Sequence, residues 1–180
     1  MTKELECVLA GFGGQGVLFA GKVIAYAGMI EDREVSWLPS YGPEMRGGTA
    51  NCSVTISDQP IGSPLVTQPD ALVAMNQPSY DKFIEDMADG GVVVYDSDLI
   101  SPVAACDGHA VAAIPATSMA EGAGLAGLSN MILVGKLWDM TRFCARETLD
   151  LAVDRCVPPR KADLIEKNKQ AIQLGIEAIV

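Results

Sequence analysis

Six consecutive residues near the start of the chain have the types and spacing of a ligand-binding turn. They read G-x-G-x-x-G, with a short apolar run before them and a longer apolar run of good helix formers after them. This order predicts a strand, a glycine turn and a helix, and backbone N–H groups at the start of such a helix favour an anion. The candidate binding residues of this turn are Gly11, Gly13, Gly14, Gln15 and Gly16.

The dinucleotide-binding form of this motif needs an acidic residue at the end of the second strand, where it binds the ribose hydroxyls. Here the second apolar run, residues 34–38, ends in Pro39 and Ser40, whereas Glu31 and Asp32 precede it. This mismatch argues against NAD or FAD. Two other interpretations stay open: a stand-alone, Rossmann-like nucleotide-binding protein, and a turn that only packs a helix against a sheet.

A second candidate segment, residues 39–48, holds two prolines and three glycines and is predicted to be a loop. It brings Tyr41, Glu44, Arg46 and Gly47 close together in sequence. An arginine beside paired glycines suits an anion or a neighbouring chain. The alternative is a solvated connection in which Glu44 and Arg46 have no role.

The other reactive residues do not form a catalytic set. His109 is the single histidine, so neither a Ser-His-Asp triad nor a histidine metal site is expected. The five cysteines contain no C-x-x-C pair, so we expect no metal site and no iron–sulfur cluster held by this chain alone. Most of them are predicted to be buried small hydrophobes, and their odd number indicates free thiols in a reducing cytoplasm.

Charge and hydropathy narrow the possible partners and the location. The net charge of −10 argues against nucleic acid, because phosphate binding needs clustered lysine and arginine. Charged residues interrupt the longest apolar stretches, so no membrane span is predicted, and the first residues do not resemble a signal peptide. We therefore expect a cytoplasmic chain whose residues 1–180 form a single domain.

The apolar patterns predict an α/β fold: a three-layer, mostly parallel, Rossmann-like sheet with helices on both faces, plus C-terminal helices. Strands are predicted at residues 5–10, 34–38, 49–57, 71–75, 91–97 and 110–115. Helices are predicted at residues 17–27, 80–87, 117–127, 130–138, 146–156 and 161–178.

Finer features follow from local sequence. Strict alternation in residues 49–57 favours an antiparallel or edge strand with one polar face. Asn76 and Gln77 follow a central strand, where ligands of open α/β sheets bind. A hairpin-like return is predicted at Leu65 and Val66.

At the start of the third predicted helix, the sequence favours a capping box. Thr117 or Ser118 would be its N-cap residue, and Glu121 would be the capping partner.

Several motifs, in this order and spacing, resemble the gamma subunit of 2-oxoacid:ferredoxin (or other acceptor) oxidoreductases. They are Gly11-Phe12-Gly13-Gly14-Gln15-Gly16-Val17, Tyr41-Gly42-Pro43-Glu44-Met45-Arg46-Gly47-Gly48, Asn130-Met131 and Asn168-Ala171-Gly175.

The resemblance implies a non-catalytic component of an enzyme that oxidatively decarboxylates a 2-oxoacid with coenzyme A, giving an acyl-CoA and carbon dioxide. The implied partners are alpha, beta and ferredoxin-like delta subunits. Those subunits carry thiamine diphosphate and 4Fe–4S clusters, and ferredoxin accepts the electrons. This chain would bind no cofactor alone, and its two candidate loops would face the complex, near the active site or the coenzyme A path.

The resemblance leaves the substrate open. The expected substrate is 2-oxoglutarate, with pyruvate and a branched-chain oxoacid as other possibilities. A role as the small subunit of indolepyruvate oxidoreductase is a further alternative.

Overall fold

The architecture is a six-stranded sheet covered by helices on both faces. The computed structural model describes residues 4–41, 49–101 and 106–180, and of Tyr41 it describes the backbone alone. The strands are β1 (Leu5–Phe12), β2 (Glu34–Tyr41), β3 (Thr49–Ser57), β4 (Ala71–Ala74), β5 (Val92–Asp96) and β6 (Ala110–Ile114). The helices are α1 (Val17–Ile30), α2 (Gln77–Phe83), α3 (Ala116–Gly122), α4 (Ser129–Thr141), α5 (Arg146–Cys156) and α6 (Leu164–Glu177). Short 3₁₀ turns occupy Ile84–Asp86 and Pro159–Lys161.

The strand order across the sheet is β2-β3-β1-β4-β5-β6. Strands β1, β4, β5 and β6 pair in parallel, whereas β3 pairs antiparallel with both β1 and β2. Among the described strands, β3 therefore runs against the other five. The mostly parallel α/β sheet predicted from the sequence is confirmed, and the carboxyl ends of β1, β2, β4, β5 and β6 share one edge.

The two faces of the sheet carry separate apolar clusters. Cys7 and Leu9 of β1 belong to the larger cluster, which α1 and the C-terminal helices cover. Val8 and Ala10, pointing the other way, pack with Tyr80 of α2 and its neighbours. This alternation along one strand gives the predicted three layers. The layers are unequal, because α1, α4, α5 and α6 contribute to the same cluster.

Two glycines let α4 and α6 pack backbone to backbone. A Cβ atom added at Gly135 would overlap the Ile172 carbonyl oxygen, and one added at Gly175 would overlap the Ile132 carbonyl oxygen. Neither helix can therefore carry a side chain at its crossing point. This close packing joins α4, predicted from the sequence as an apolar helix, to α6, predicted as an amphipathic helix.

Polar groups from one strand end fix the start of α3. The buried Asp96 carboxylate accepts hydrogen bonds from the Thr117 backbone N–H (3.1 Å) and the Thr117 hydroxyl (2.6 Å). Asp98 accepts a further bond from the Ser118 N–H at 2.7 Å. The predicted capping box is wrong, because these aspartates satisfy the helix start and no side chain of α3 caps it.

The predictions for β2 and β3 differ in part from the structure. The sequence predicts a loop at Pro39, Ser40 and Tyr41, but these residues extend β2, an edge strand in which the missing proline N–H is tolerated. Strand β3 is antiparallel as predicted, but it lies inside the sheet, and two residues of its expected polar face, Ser53 and Thr55, are buried. The hairpin-like return at residues 65–66 is not formed, and those residues have no strand structure.

Candidate functional site

The glycine turn follows β1 directly and is held in place by one glutamine. The Gln15 side-chain oxygen accepts a hydrogen bond from the Phe12 N–H at 2.6 Å, and its amide nitrogen donates to the Met75 carbonyl at 2.8 Å. Gln15 therefore ties the turn both to its own strand and to the end of β4. Its contribution to the candidate site is to position the backbone around it.

The glycines of this turn are needed for different reasons. Gly14 and Gly16 have φ angles of +102° and +74°, which L side chains rarely adopt. Gly11 has no such angle, but a Cβ atom there would lie 2.7 Å from the Gln15 oxygen and 2.9 Å from the Met75 Cβ. The first glycine of the motif therefore makes room for the Gln15 side chain. This contact supports the interpretation of Gly11 as a packing residue.

The open side of the turn has the features of an anion site. A groove of about 280 Å³ is lined by Phe12, Gly13, Gly14, Gly16, Val17, Leu18, Phe19 and Ala50. Helix α1 begins at the edge of this groove; among the described residues no side chain caps it, and its first turn has no acidic residue. Val17 and Leu18, the first residues of α1, line the groove, so the positive end of the helix dipole lies at its wall, and anion binding there stays a prediction.

The second candidate segment emerges from the same edge of the sheet. The Tyr41 backbone pairs with Ala50, which pairs on its other side with Gly11. Two strand spacings, roughly 10 Å, therefore separate the end of β2 from the glycine turn. Glu44, Arg46 and Gly47 lie outside the described residues, as does the Tyr41 side chain.

The polar residues after β4 stabilise the fold. The buried Asn76 is the N-cap of α2, because its side-chain oxygen accepts the Ser79 N–H at 2.9 Å. The Gln77 side-chain oxygen accepts the Ser101 N–H, and its amide donates to Asp81, each at 2.8 Å. Both side chains lie at the predicted edge, but their hydrogen bonds are made within the protein.

Four of the five cysteines do not have the chemistry of cluster ligands. Cys7, Cys52, Cys144 and Cys156 are buried, which confirms the prediction that most cysteines are buried small hydrophobes. Burial raises the pKa of Cys52 and Cys144 to about 12 and that of Cys156 to about 11. Iron–sulfur clusters and zinc bind thiolates, which such environments disfavour.

Within residues 4–41, 49–101 and 106–180, no three His, Cys, Asp or Glu side chains come together as a metal site. In the same ranges, no helix is both long and apolar enough to cross a membrane. His109 follows a turn before β6, and no group among the described residues forms a hydrogen bond with its buried Nδ1.

Comparison with known proteins gives consistent results. The model of the pyruvate ferredoxin/flavodoxin oxidoreductase family matches residues 6–178. Ketoisovalerate oxidoreductase subunit VorA of Methanothermobacter thermautotrophicus is 48% identical over 97% of this chain. The 2-oxoglutarate synthase subunit KorC of Methanocaldococcus jannaschii is 38% identical over 98% of this chain and 94% of the relative.

A solved structure agrees with these sequence matches. The gamma subunit of a keto/oxoacid ferredoxin oxidoreductase from Geobacter sulfurreducens has a TM-score of 0.82 and 32% identity. The match covers 96% of each chain. By contrast, the chain spans about a third of the length of the ketoisovalerate oxidoreductase subunits, 36% and 28% of the two that it matches. From the family match and the whole-length likenesses, we conclude that this chain belongs to the pyruvate ferredoxin/flavodoxin oxidoreductase family and resembles its gamma subunits.

Proposed function

We propose that the chain is the gamma subunit of a multi-subunit 2-oxoacid:ferredoxin oxidoreductase and carries no redox centre of its own. The observation that supports this most strongly is the whole-length likeness to a solved gamma subunit. In the proposed reaction, a 2-oxoacid and coenzyme A give an acyl-CoA and carbon dioxide, and two electrons pass to ferredoxin. Alpha, beta and ferredoxin-like delta chains would bind thiamine diphosphate and 4Fe–4S clusters; four of the five cysteines here are buried, and buried thiols are poor cluster ligands.

The proposed contribution of this chain is a shaped surface at one edge of its sheet. The glycine turn and the segment that begins at Tyr41 leave this edge about two strand spacings apart. An uncapped helix start favours an anionic group there, such as a phosphate of coenzyme A or a carboxylate of a neighbouring chain. We therefore propose that Gly13, Gly14 and Gly16 border this contact, and that Glu44, Arg46 and Gly47 take part in it.

For the substrate, the relatives support two candidates. The KorC relative that matches over 94% of its own length is named as a subunit of 2-oxoglutarate synthase and is 38% identical to this chain. The ketoisovalerate oxidoreductase subunit VorA is 48% identical, but the match covers only 36% of its length. The subunit IorB of indolepyruvate oxidoreductase from Pyrococcus horikoshii is more distant, at 24% identity. We therefore favour 2-oxoglutarate or 3-methyl-2-oxobutanoate over indolepyruvate.

Isolation of the complex from its native host through a tag on this chain tests the function. Reduction of ferredoxin would be measured with 2-oxoglutarate, 3-methyl-2-oxobutanoate, pyruvate and indolepyruvate, with and without coenzyme A. The proposal expects coenzyme A-dependent turnover of one of the first two substrates. Turnover of indolepyruvate alone would replace the proposed substrate, and a complex without oxoacid oxidation would contradict the proposed function.

The role of the loop needs a separate variant. Arg46→Ala should weaken a buried, charged contact by roughly 1–3 kcal/mol, seen as a higher KM for coenzyme A or a weaker subunit association. Arg155→Ala is the matched control, because Arg155 is exposed in the last turn of α5. Equal behaviour of the two variants would contradict a role for Arg46.

A stand-alone nucleotide-binding protein is the competing function, which the glycine turn alone would suggest. Calorimetry of the purified chain with NAD, FAD, ATP and coenzyme A separates the two. Tight binding of NAD, FAD or ATP by the isolated chain would favour the competing function.

A further inference from the structure

The edge of the sheet at β2 is long, uncharged along most of its length and accessible. Strand β2 is the last strand on its side of the sheet and pairs with β3, and no other described strand pairs with its outer side. None of residues 34–40 is buried. After Glu34 the strand carries no charged residue. Proteins usually protect such an edge with lysines, by shortening the strand or by covering it.

Two large apolar side chains stand next to each other on this strand. Trp37 is 38% exposed and Leu38 is 37% exposed, and successive residues of a strand point to opposite faces of the sheet. A segment placed along β2 would therefore cover one of these side chains on each face. The opposite edge strand, β6, has five residues instead of eight, and its largest side chain, Ile114, is fully buried.

Trp37 is held in place by groups of its own chain. Its indole N–H donates a hydrogen bond to the Cys52 sulfur, and a Cβ atom added at Gly21 of α1 would lie 3.2 Å from its Nε1. Because the polar atom of the ring is used inside the protein, the exposed part of the ring is apolar. Tryptophan is enriched among the residues that contribute most to protein–protein binding.

The β2 edge is continuous with the groove of the glycine turn. Trp37 lies against α1 at Gly21, and Leu18, one helical turn earlier, lines that groove. Phe12 lines the same groove and is 39% exposed. One partner can therefore cover the β2 edge and the groove together.

The relatives indicate what kind of partner this would be. In the ketoisovalerate oxidoreductase subunit VorA, the matching region is 36% of the polypeptide, so a domain like this chain is covalently joined there to a larger region. The subunit KorC matches over 94% of its length and is therefore a separate chain. A domain found in both forms needs a non-covalent contact with its companion where the two are separate. A second copy is a poor occupant, because two chains of net charge −10 repel each other.

We propose that a companion chain, the counterpart of the larger region of VorA, places an extended segment along the outer edge of β2. Its backbone would pair with residues 34–38, because Pro39 has no N–H to donate. Its side chains would pack on Trp37 at one face of the sheet and on Leu38 at the other. This inference rests on the proposed function, in which the chain is part of a multi-subunit complex.

Hydrogen exchange measured by mass spectrometry tests the contact. The samples are the complex isolated through a tag on this chain and the chain expressed alone. We expect protected amides in peptides from residues 34–38, with exchange at least about tenfold slower in the complex. Peptides from β6, the other edge of the same sheet, are the matched control and should exchange equally in both samples. Unprotected residues 34–38, or equal protection of both edges, would overturn the inference.

The same experiment tests for a second copy at this edge. Sedimentation of the chain expressed alone gives its oligomeric state, which we expect to be a monomer. A dimer whose β2 amides are already protected would overturn the inference, because a second copy would then cover the edge.

A lysine placed at the edge gives an independent test, because a lysine on an edge strand opposes pairing with another strand. For Leu38→Lys, the amount of companion chain recovered per tagged chain should fall about tenfold. The matched control is Leu151→Lys on α5, which also replaces an exposed leucine and should retain the companion fully. Circular dichroism would verify that both variants are folded. Equal recovery with the two variants would overturn the inference.

This inference and the proposed function fail in different ways. A complex that oxidises a 2-oxoacid while residues 34–38 remain unprotected would overturn this inference alone. A protected β2 edge in a complex that oxidises no 2-oxoacid would contradict the proposed function alone. Isolation of the chain without any companion would contradict both.

Discussion

The packing of the glycine turn can be tested by adding one methyl group at two positions of that turn. Gly14→Ala and Gly16→Ala both force an alanine into a positive φ angle, which costs about 1–2 kcal/mol. At Gly14 no atom of residues 4–41, 49–101 or 106–180 lies within 4 Å of the new Cβ atom, so backbone strain is the expected cost. Gly14→Ala is therefore the matched control for Gly16→Ala.

At Gly16 the new methyl group would overlap the Asn130 amide nitrogen and lie 3.1 Å from its side-chain carbon. Overpacking of this kind adds about 1–3 kcal/mol, so Gly16→Ala should destabilise the chain by about 2–5 kcal/mol in total. The overlap disappears if Asn130 is first shortened to alanine. In the Asn130→Ala background, Gly16→Ala should then cost only about 1–2 kcal/mol, like Gly14→Ala.

Urea unfolding followed by circular dichroism would give the free energies of unfolding, compared at constant m-value. The double-mutant cycle for Gly16 and Asn130 should show a coupling of about 1–3 kcal/mol. Equal costs for Gly14→Ala and Gly16→Ala would refute the reasoning. So would additive effects of the two changes, since Asn130 would then not be packed against the turn.

Three further predictions test other parts of the fold, and for each the free energy of unfolding is measured in urea. Gly175→Ala should destabilise the chain by about 1–3 kcal/mol, because its Cβ atom would meet the backbone of the facing helix. Gly122→Ala, where the described residues leave open space, should be neutral or slightly stabilising. Equal effects of the two changes would contradict the close packing of α4 against α6. Asp96→Ala should destabilise the chain by about 2–3 kcal/mol, because it removes the hydrogen bonds from the Thr117 N–H and hydroxyl. Thr117→Val should cost less, because it keeps the hydrogen bond from the backbone N–H of residue 117 to Asp96. An Asp96→Ala variant as stable as the unmodified chain would contradict this cap. Burial raises the pKa of Cys52 from 9.0 to about 12, so above pH 9 the folded chain keeps a proton that the unfolded chain releases. The free energy of unfolding should therefore fall as the pH rises above about 9, and it should fall less steeply in Cys52→Ala. An unchanged slope in that variant would contradict the effect of burial.

The central elements of the fold were predictable because their sequence patterns are strong. The parallel strands are continuous apolar runs, and α1 follows a glycine turn after the first of them. The edge strand β2 was underestimated, because Pro39 looks like a loop residue and only its position at the sheet edge makes it acceptable. The cap of α3 was missed because it comes from Asp96 and Asp98, about twenty residues earlier in the chain.

The strand, turn and helix that carry the candidate residues were predictable, but the separate structural roles of the glycines were not. Spacing alone suggested that every glycine of the motif approaches a ligand, whereas Gly11 leaves room for the Gln15 side chain. A cavity of about 360 Å³ beside the glycine turn could not be predicted, because Asn130, Arg160 and Asn168 come together there only through the packing of the C-terminal helices. The sequence predicts that Asn130 lies in an apolar helix and Asn168 in an amphipathic one. Only the tertiary structure shows that their side-chain oxygens lack hydrogen-bond partners among the described residues.

The most direct test of the central claim is the iron and thiamine diphosphate content of the tagged chain, isolated gently from its native host and, separately, after expression alone. The account predicts that the native preparation contains companion chains with iron and thiamine diphosphate, whereas the chain expressed alone contains neither. Recovery of a solitary chain from native lysate would contradict the account. So would a chain expressed alone that contains an iron–sulfur centre or oxidises a 2-oxoacid.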